Sequence, residues 1–200
     1  ILDTDGLKRG VKGVMLGTAP SLATFAKSTL GRRPAFSCVH YRAEKDMCTE
    51  QRDILCNKLD TANAPNPLFA WRARLLYDCF HQRSLAEIIH ELTSSFTFIV
   101  SGDAGLALAA KQGFQFWSHL DFQEDVGRYC ADVQHRASHQ LDPRELLHTV
   151  NTLFDFEVCR HADEFVGFGP STFSRRIDGA RLNRRHPTFY YTADKYPELD

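Results

Sequence analysis

The sequence predicts an α/β fold, in which a mainly parallel β-sheet carries helices on both faces. Strand-like and helix-like segments alternate along most of the 200 residues, as they do where helical crossovers join parallel strands. Residues 96–100, Phe-Thr-Phe-Ile-Val, form a continuous apolar run, which is typical of a strand buried on both faces. The chain length suits one compact domain.

The amino-terminal half begins with a helix and a strand. Residues 20–30 repeat apolar side chains at helical spacing, and Gly31 is placed to end that helix. Residues 35–42 are rich in β-branched and aromatic side chains, which favours a strand. The segment 43–80 does not continue the alternation, and its Thr-Ala-Asn-Ala-Pro-Asn-Pro run predicts a loop or an insertion.

The middle of the chain predicts a second helix, the apolar strand described above and a third helix. Residues 84–92 carry an apolar stripe, and Ser84 and Glu87 have the spacing of a capping box. Residues 101–113 turn into a short helix that stops at their final glycine. Residues 114–117, Phe-Gln-Phe-Trp, predict a further strand.

The carboxyl-terminal part predicts a long helix, a strand and a last helix. In residues 141–161, Asp142 is the expected N-cap and Pro143 the first helical residue. Residues 163–168 favour a strand and residues 171–182 a helix. The apolar stripe of the long helix consists of Leu146, Leu147, Val150, Phe154 and Val158.

The composition excludes several classes of protein. The formal net charge is -1, from 24 basic and 25 acidic residues, so no charge excess indicates a nucleic acid or an anionic membrane surface as the partner. The hydrophobic share of 43% argues against disorder. No apolar run approaches the roughly 20 residues of a membrane span. The basic run 175–185 is interpreted as the solvated face of a surface helix.

Six cysteines are present, and none forms a C-x-x-C pair, so no metal site is predicted. Their even number permits disulfides in an oxidising compartment, but buried thiols in a reducing one fit as well. The chain begins with Ile1 and shows no signal peptide. We therefore expect it to be a piece of a longer protein.

A glycine-rich segment, residues 167–173, lies between the last predicted strand and the last helix. Its glycines leave room for a ligand beside the backbone. The N–H groups of Ser171, Thr172 and Phe173 would point out of the helix N-terminus, where the helix dipole favours a phosphate, and the hydroxyls of Thr172 and Ser174 would add hydrogen bonds. A helix after a tight turn, capped by Ser171, explains the same residues, and the sequence leaves both interpretations open.

A second motif, Cys-Val-His-Tyr-Arg, ends the strand predicted at 35–42. His40 and Arg42 are two residues apart and therefore face the same side of a strand. A guanidinium matches phosphate oxygens and can stabilise the charge that develops on a diphosphate leaving group, whereas His40 can hydrogen-bond a base or a sugar. The alternative is that Arg42 pairs with Glu44 or Asp46.

Ligands of open parallel sheets bind beyond the carboxyl ends of the strands. We therefore expect the His40–Arg42 motif and the 167–173 segment to meet there. Asp163, just before the last predicted strand, is a candidate for binding a guanine edge, because a carboxylate accepts two N–H groups. The alternative is a turn residue at the end of the long helix.

Together these motifs resemble those of the GDP-fucose protein O-fucosyltransferases. Cys-Val-His-Tyr-Arg-Ala-Glu-Lys-Asp-Met-Cys (38–48) is similar to the H-x-R motif of that family. His-Ala-Asp-Glu-Phe-Val-Gly-Phe-Gly-Pro-Ser-Thr-Phe-Ser-Arg-Arg (161–176) is similar to its carboxyl-terminal motif. The order and approximate spacing agree from about Gly17 to Tyr191.

The resemblance implies that residues 1–200 form a Rossmann-like GDP-fucose-binding domain, the carboxyl-terminal half of a GT-B glycosyltransferase that needs no metal. It implies fucosyl transfer to a Ser or Thr hydroxyl of a protein, with inversion. Arg42 would be catalytic and bind the diphosphate, and His40 would line the nucleotide site. Asp163 would bind guanine, and the remaining nucleotide-binding residues would be Ser171, Thr172 and Phe173.

The resemblance also implies partners and a compartment. The partners would be GDP-fucose, as donor substrate and not as cofactor, and a protein acceptor or the amino-terminal half that completes the cleft. The location would be the lumen of the endoplasmic reticulum or Golgi, with some disulfides and Cys48 at a matching position. Two alternatives stay open: an inactive domain that serves as an interaction module in a larger complex, and a different nucleotide-sugar or phosphate-ester enzyme.

Overall fold

A computed structural model describes residues 22–31, 35–42, 49, 83–137, 140–169, 171–181 and 186–191. Within these residues the sheet has four strands in the order β2-β1-β3-β4, and every neighbouring pair is parallel. The strands are β1 (Phe36–His40), β2 (Phe96–Val100), β3 (Glu164–Gly167) and β4 (Thr188–Tyr190). The helices are α1 (Leu22–Leu30), α2 (Leu85–His90), α3 (Asp103–Lys111), α4 (Gln123–Arg136), α5 (Pro143–His161) and α6 (Thr172–Arg181), with a short 3-10 helix (His119–Phe122) before α4.

Helices cover both faces of this sheet, which confirms the predicted α/β fold class. Alternate strand residues point to opposite faces, so Cys38 enters the core with α1, α4, α5 and α6. Its neighbour Val39 enters the core with α2 and α3. Phe98 and Ile99 divide in the same way on β2, as expected for a parallel sheet buried on both sides.

The ends of the helices follow the local signals in the sequence. Ser84 and Glu87 form the predicted capping box before α2. The carboxylate of Asp142 accepts the N–H groups of Arg144 and Glu145 before α5. Gly31 and Gly113 adopt positive φ angles of 60° and 75° just after α1 and α3, a conformation that glycine reaches without steric cost.

The prediction of a strand at 114–117 is wrong. Within that stretch Trp117 alone pairs with the sheet, in an isolated bridge to Phe98. Immediately afterwards the Ser118 hydroxyl accepts the N–H of Leu120 and starts the 3-10 helix. The chain therefore leaves the sheet after one residue, before a ladder can form.

Three elements were not predicted from the sequence: α4, the short 3-10 helix before it, and β4. The helix α4 buries Val126, Tyr129 and Val133 at the helical spacing that the sequence does carry. The strand β4 has three residues, none of them buried, and so it offers no periodic signal. The segment predicted as a loop at 43–80 lies outside the described residues, apart from Thr49.

The predicted apolar stripe of α5 is buried except at its start. Val150, Phe154 and Val158 are buried, whereas Leu147 is 36% exposed. Asp155, which was not assigned to the core, is buried instead. Its carboxylate lies 3.4 Å from Nδ1 of His119, and this imidazole, when it is protonated, offsets part of the cost of burying the carboxylate.

The predicted solvated face of residues 175–185 holds for Arg175 and Arg176, which are exposed, but it is wrong for Arg181. Arg181 is 1% exposed. Its Nη1 donates to the carbonyl oxygens of Cys159 and Ala162, at 2.8 and 2.6 Å. The guanidinium thus caps the carboxyl end of α5, where carbonyl oxygens lack the N–H partners four residues on that they would have in a helix interior.

A disulfide links Cys38 of β1 to Cys159 of α5, and both residues are fully buried. Cys130 on α4 is a free thiol, partly buried, and Cys48 lies outside the described residues. Where the chain is described, no three His, Cys, Asp or Glu residues are grouped so that they could hold a metal ion. No described helix is both long and apolar enough to cross a bilayer.

Candidate functional site

The carboxyl ends of β1 and β3 lie side by side. Val39 pairs with Val166, so His40, the last residue of β1, is level with Gly167, the last residue of β3. The chain leaves β3 through Phe168 and Gly169 and enters α6 at Thr172. The topology therefore brings the two predicted motifs to one edge of the sheet.

His40 contacts the first turn of α6 directly. Its Nδ1 atom lies 2.7 Å from the Oγ atom of Ser174, and its ring meets the ring of Phe173 edge-on, with centroids 5.0 Å apart. Phe173 in turn touches Phe156 of α5. The His40 side chain, at the end of β1, therefore packs directly against the start of α6.

Gly167 permits this contact by its lack of a side chain. A Cβ atom there would lie 2.8 Å from Ser174 Oγ and 2.9 Å from Ser174 Cβ, closer than atoms approach in a packed interior. The sequence suggested that Gly167 leaves room for a ligand. The space beside it is instead filled by Ser174, so this glycine serves the close packing of β3 against α6.

At the start of α6, some backbone N–H groups donate to protein acceptors, and others have no acceptor among the described residues. The N–H of Ser171 donates to the carbonyl oxygen of Phe168 at 2.9 Å, and the Ser171 hydroxyl accepts the N–H of Ser174 at 3.5 Å. Ser171 is buried and Thr172 is exposed. In the described part of the chain, the N–H groups of Thr172 and Phe173 have no protein acceptor, as is usual for a helix N-terminus.

Arg42 follows β1 and is anchored through its backbone. Its N–H donates to the hydroxyl oxygen of Tyr191 at 3.0 Å. Tyr191 is 1% exposed and stacks on Phe168, with ring centroids 5.5 Å apart. Arg42 is half-buried. Its suggested partners Glu44 and Asp46 lie outside the described residues.

His40 is neutral at physiological pH. Burial, and to a smaller extent the positive charge of Arg42, together lower the pKa of its imidazole from 6.5 to about 4. The charge of Arg42 therefore acts on the same small region as the His40 ring. Because the His40 ring is neutral and the guanidinium is permanently charged, Arg42 carries the positive charge of this pair.

Asp163 does not join these residues. It precedes β3, and its backbone N–H donates to the carbonyl oxygen of Phe36 at 2.9 Å, while its carboxylate accepts the N–H of Phe36 at 3.0 Å. Phe36 begins β1 and His40 ends it, roughly 13 Å away along the strand. Asp163 thus lies at the amino edge of the sheet, where it acts as the turn residue given above as the alternative.

Tyr191 was not singled out from the sequence, although it organises this edge. It contacts Arg42, stacks on Phe168, and its N–H donates to the carbonyl oxygen of Gly167 at 3.1 Å. A single aromatic residue carries no signal of this kind by itself. Its role depends on β4, which the sequence did not reveal.

Comparison with known proteins gives a similarity at the level of fold alone. No family model matches the chain, and no curated protein matches it. Solved structures do match, and one of them is the crystal structure of POFUT1 in complex with GDP. This similarity covers 85% of the present chain at 14% sequence identity, with a TM-score of 0.41. The chain spans 46% of the POFUT1 chain, less than half of its length.

Proposed function

We propose that this chain is the nucleotide-binding half of a GT-B glycosyltransferase that transfers fucose from GDP-fucose to a Ser or Thr hydroxyl of a protein. The observation that carries the proposal is the contact of His40 with Phe173 and Ser174. It brings the two motifs that resemble the fucosyltransferase family to one edge of the sheet. That edge is where open parallel sheets bind nucleotides.

The diphosphate of the donor would bind between Arg42 and the first turn of α6. Arg42 supplies a guanidinium whose charge is permanent. The N–H groups of Thr172 and Phe173 supply two donors at the positive end of the helix dipole, and the Thr172 hydroxyl supplies a third. Ser171 would act by capping the helix, because its own N–H and hydroxyl already bind Phe168 and Ser174.

The reaction would be a displacement with inversion at the sugar carbon. The acceptor oxygen forms a bond to C1 of fucose while the bond from C1 to the phosphate oxygen breaks, and GDP leaves with the electron pair. Arg42 would stabilise the negative charge that develops on the diphosphate, without a metal ion. The group that takes the proton of the acceptor hydroxyl would come from the other half of the cleft.

The second wall of that cleft would be an amino-terminal half or the protein acceptor, and no cofactor beyond the donor substrate is proposed. We place the protein in the secretory lumen. The buried Cys38–Cys159 disulfide supports this placement, because structural disulfides persist mainly in oxidising compartments.

Titration calorimetry with GDP and GDP-fucose tests the proposal. We expect binding of both, and a loss of at least about tenfold in Arg42→Ala, since a charge-assisted hydrogen bond contributes roughly 1.5–3 kcal/mol. Arg128→Ala is the matched control, because Arg128 is an exposed arginine on α4. Equal affinities of the two variants, or no binding by the wild-type chain, would reject the proposed site.

A second candidate is a glycosyltransferase-like domain that binds no donor and serves as an interaction module. The hydroxyls of Ser171 and Ser174 favour it, because both already bind protein groups, as in a simple capped helix. This candidate predicts no heat of binding with either nucleotide. It also predicts no protection of the amide protons of Thr172 and Phe173 when GDP is added.

A further inference from the structure

We propose that Ser174 is a positioning residue, which holds His40 as the neutral tautomer with its proton on Nε2. His40 would then offer a bound ligand a single N–H donor at the carboxyl edge of the sheet. This inference rests on the proposed nucleotide site, because it specifies what His40 does there. The part of the inference that concerns the tautomer of His40 applies to the protein without any ligand.

The hydrogen bonds of the Ser174 hydroxyl determine where the proton of His40 lies. Its Oγ atom accepts the N–H of Phe168 at 3.0 Å and lies 2.7 Å from Nδ1 of His40. Ser174 is fully buried, and a buried hydroxyl needs an acceptor for its own proton. Of the groups that the structure describes, Nδ1 is the acceptor within reach. Ser174 therefore donates to Nδ1, and the proton of the neutral ring lies on Nε2.

The surroundings hold the Ser174 hydroxyl in this position. The missing side chain of Gly167 leaves room for the Ser174 Cβ and Oγ atoms beside β3, and the N–H of Phe168 donates a hydrogen bond to the Oγ atom. A rotation of Ser174 would take this partner away from both the Phe168 N–H and Nδ1 of His40, which is unfavourable for buried polar groups.

The Nε2 atom is the part of His40 that remains for a ligand. The His40 residue is half-buried, and no described residue hydrogen-bonds to Nε2. A proton added to Nδ1 would displace the hydrogen bond from Ser174, and the charge of Arg42 opposes it as well. The ring therefore stays a neutral N–H donor beside a cation, which suits an acceptor oxygen of a nucleotide: a phosphoryl, ribose or base oxygen.

Long-range proton–nitrogen NMR of the nucleotide-free chain tests the tautomer. We expect a protonated Nε2 and an unprotonated Nδ1 for His40, and a shift toward mixed tautomers in Ser174→Ala. Ser37→Ala is the matched control, because Ser37 is also a fully buried serine, bonded to Glu164 at the opposite edge. A proton on Nδ1, or mixed tautomers in the wild-type chain, would overturn the inference even if Ser174→Ala did not fold.

Calorimetry with GDP tests the positioning role in a double-mutant cycle. We expect Ser174→Ala to weaken binding about tenfold, and to have no further effect once His40 is replaced by Ala. His40→Gln, whose amide can place an N–H near the Nε2 position, should keep more affinity than His40→Leu. A full Ser174→Ala effect in the His40→Ala background would show that Ser174 acts on the fold and not through His40.

The two readouts separate failure of this inference from failure of the proposed function. Absence of GDP binding by the wild-type chain would overturn the nucleotide site and the ligand role of His40. The NMR result would still decide whether Ser174 fixes the tautomer. Conversely, normal GDP binding with a proton on Nδ1 would overturn this inference alone.

Discussion

A Cβ atom on Gly167 would stand 2.8 Å from the hydroxyl oxygen of Ser174, at the point where β3 meets α6. The close approach fixes the position of the first turn of α6 relative to His40. Any side chain at residue 167 must therefore displace the helix start or the serine.

The first prediction concerns Gly167→Ala. The added methyl group meets Ser174 and the ring of Phe165 at 2.8–2.9 Å, and such overpacking costs roughly 1–3 kcal/mol. We expect a fall of this size in the free energy of unfolding, measured with a chemical denaturant. Gly127→Ala and Gly179→Ala are the controls, because both glycines are exposed helical residues with no atom near the new methyl group. These two should be stabilising by up to about 1 kcal/mol. Equal stabilities for all three variants would contradict the packing described.

The second prediction concerns Arg181→Met, which keeps the volume of the side chain but removes its donors. The carbonyl oxygens of Cys159, Ala162 and Pro187 would lose a buried partner. We expect a loss of at least about 3 kcal/mol in the free energy of unfolding. The exposed Arg176 on the same helix provides the control, and Arg176→Met should change stability by less than about 0.5 kcal/mol. Similar values for the two variants would show that Arg181 does not cap α5.

The third prediction concerns pH and the buried pair of His119 and Asp155. Interaction with Asp155 raises the pKa of His119 above 6.5, and Asp103 and Asp121 act in the same direction. Burial raises the pKa of Asp155. His119 binds its proton more tightly in the folded chain than in the unfolded chain, so its stabilisation is fully present below pH 6.5 and is lost as pH rises through its folded pKa. The raised pKa of Asp155 acts at lower pH, because its contribution is complete only below pH 3.8.

The free energy of unfolding should therefore decline from pH 6.5 into the mildly alkaline range. Asp155→Asn should flatten this decline, because it removes the carboxylate that His119 faces. His135→Gln, at an exposed position of α4, should leave the slope as it is in the wild-type chain. Identical slopes for the wild-type chain and Asp155→Asn would refute the role of the pair.

The fourth prediction concerns the Cys38–Cys159 disulfide. The two residues are 121 apart in the sequence. A disulfide that closes a loop of that size restricts the unfolded chain and can raise the free energy of unfolding by up to about 5 kcal/mol. The double variant Cys38→Ala, Cys159→Ala should lose several kcal/mol of stability, whereas Cys130→Ala, which removes a free thiol, should lose far less. Peptide mapping without reduction should recover a linked Cys38–Cys159 pair. Recovery of both residues as free thiols would contradict the pairing.

The sequence predicts well those elements whose signals are local. The caps at Ser84 and Asp142 and the glycines at 31 and 113 act within one helical turn, and they mark the ends of helices correctly. The strand β2 was predicted from an apolar run and β1 from its β-branched and aromatic side chains, and neither signal needs long-range information. By contrast, residues 114–117 have the composition of a strand, and only the cap at Ser118 shows why the ladder ends there.

The candidate site was predictable in part, and the topology explains the rest. Two motifs that follow parallel strands must share the carboxyl edge, which places His40 near Phe173. The same rule sends Asp163, which precedes its strand, to the other edge. The burial of Arg181 and the role of Tyr191 depend on the end of α5 and on β4, and neither partner is visible in the surrounding sequence.

A structure of this domain in complex with GDP would show whether the carboxyl edge of the sheet is the nucleotide site. We expect a diphosphate within hydrogen-bond distance of the Arg42 guanidinium and of the N–H groups of Thr172 and Phe173. We also expect a nucleotide oxygen to accept a hydrogen bond from Nε2 of His40. A diphosphate bound at the amino edge, near Asp163 and away from Arg42, would contradict this placement.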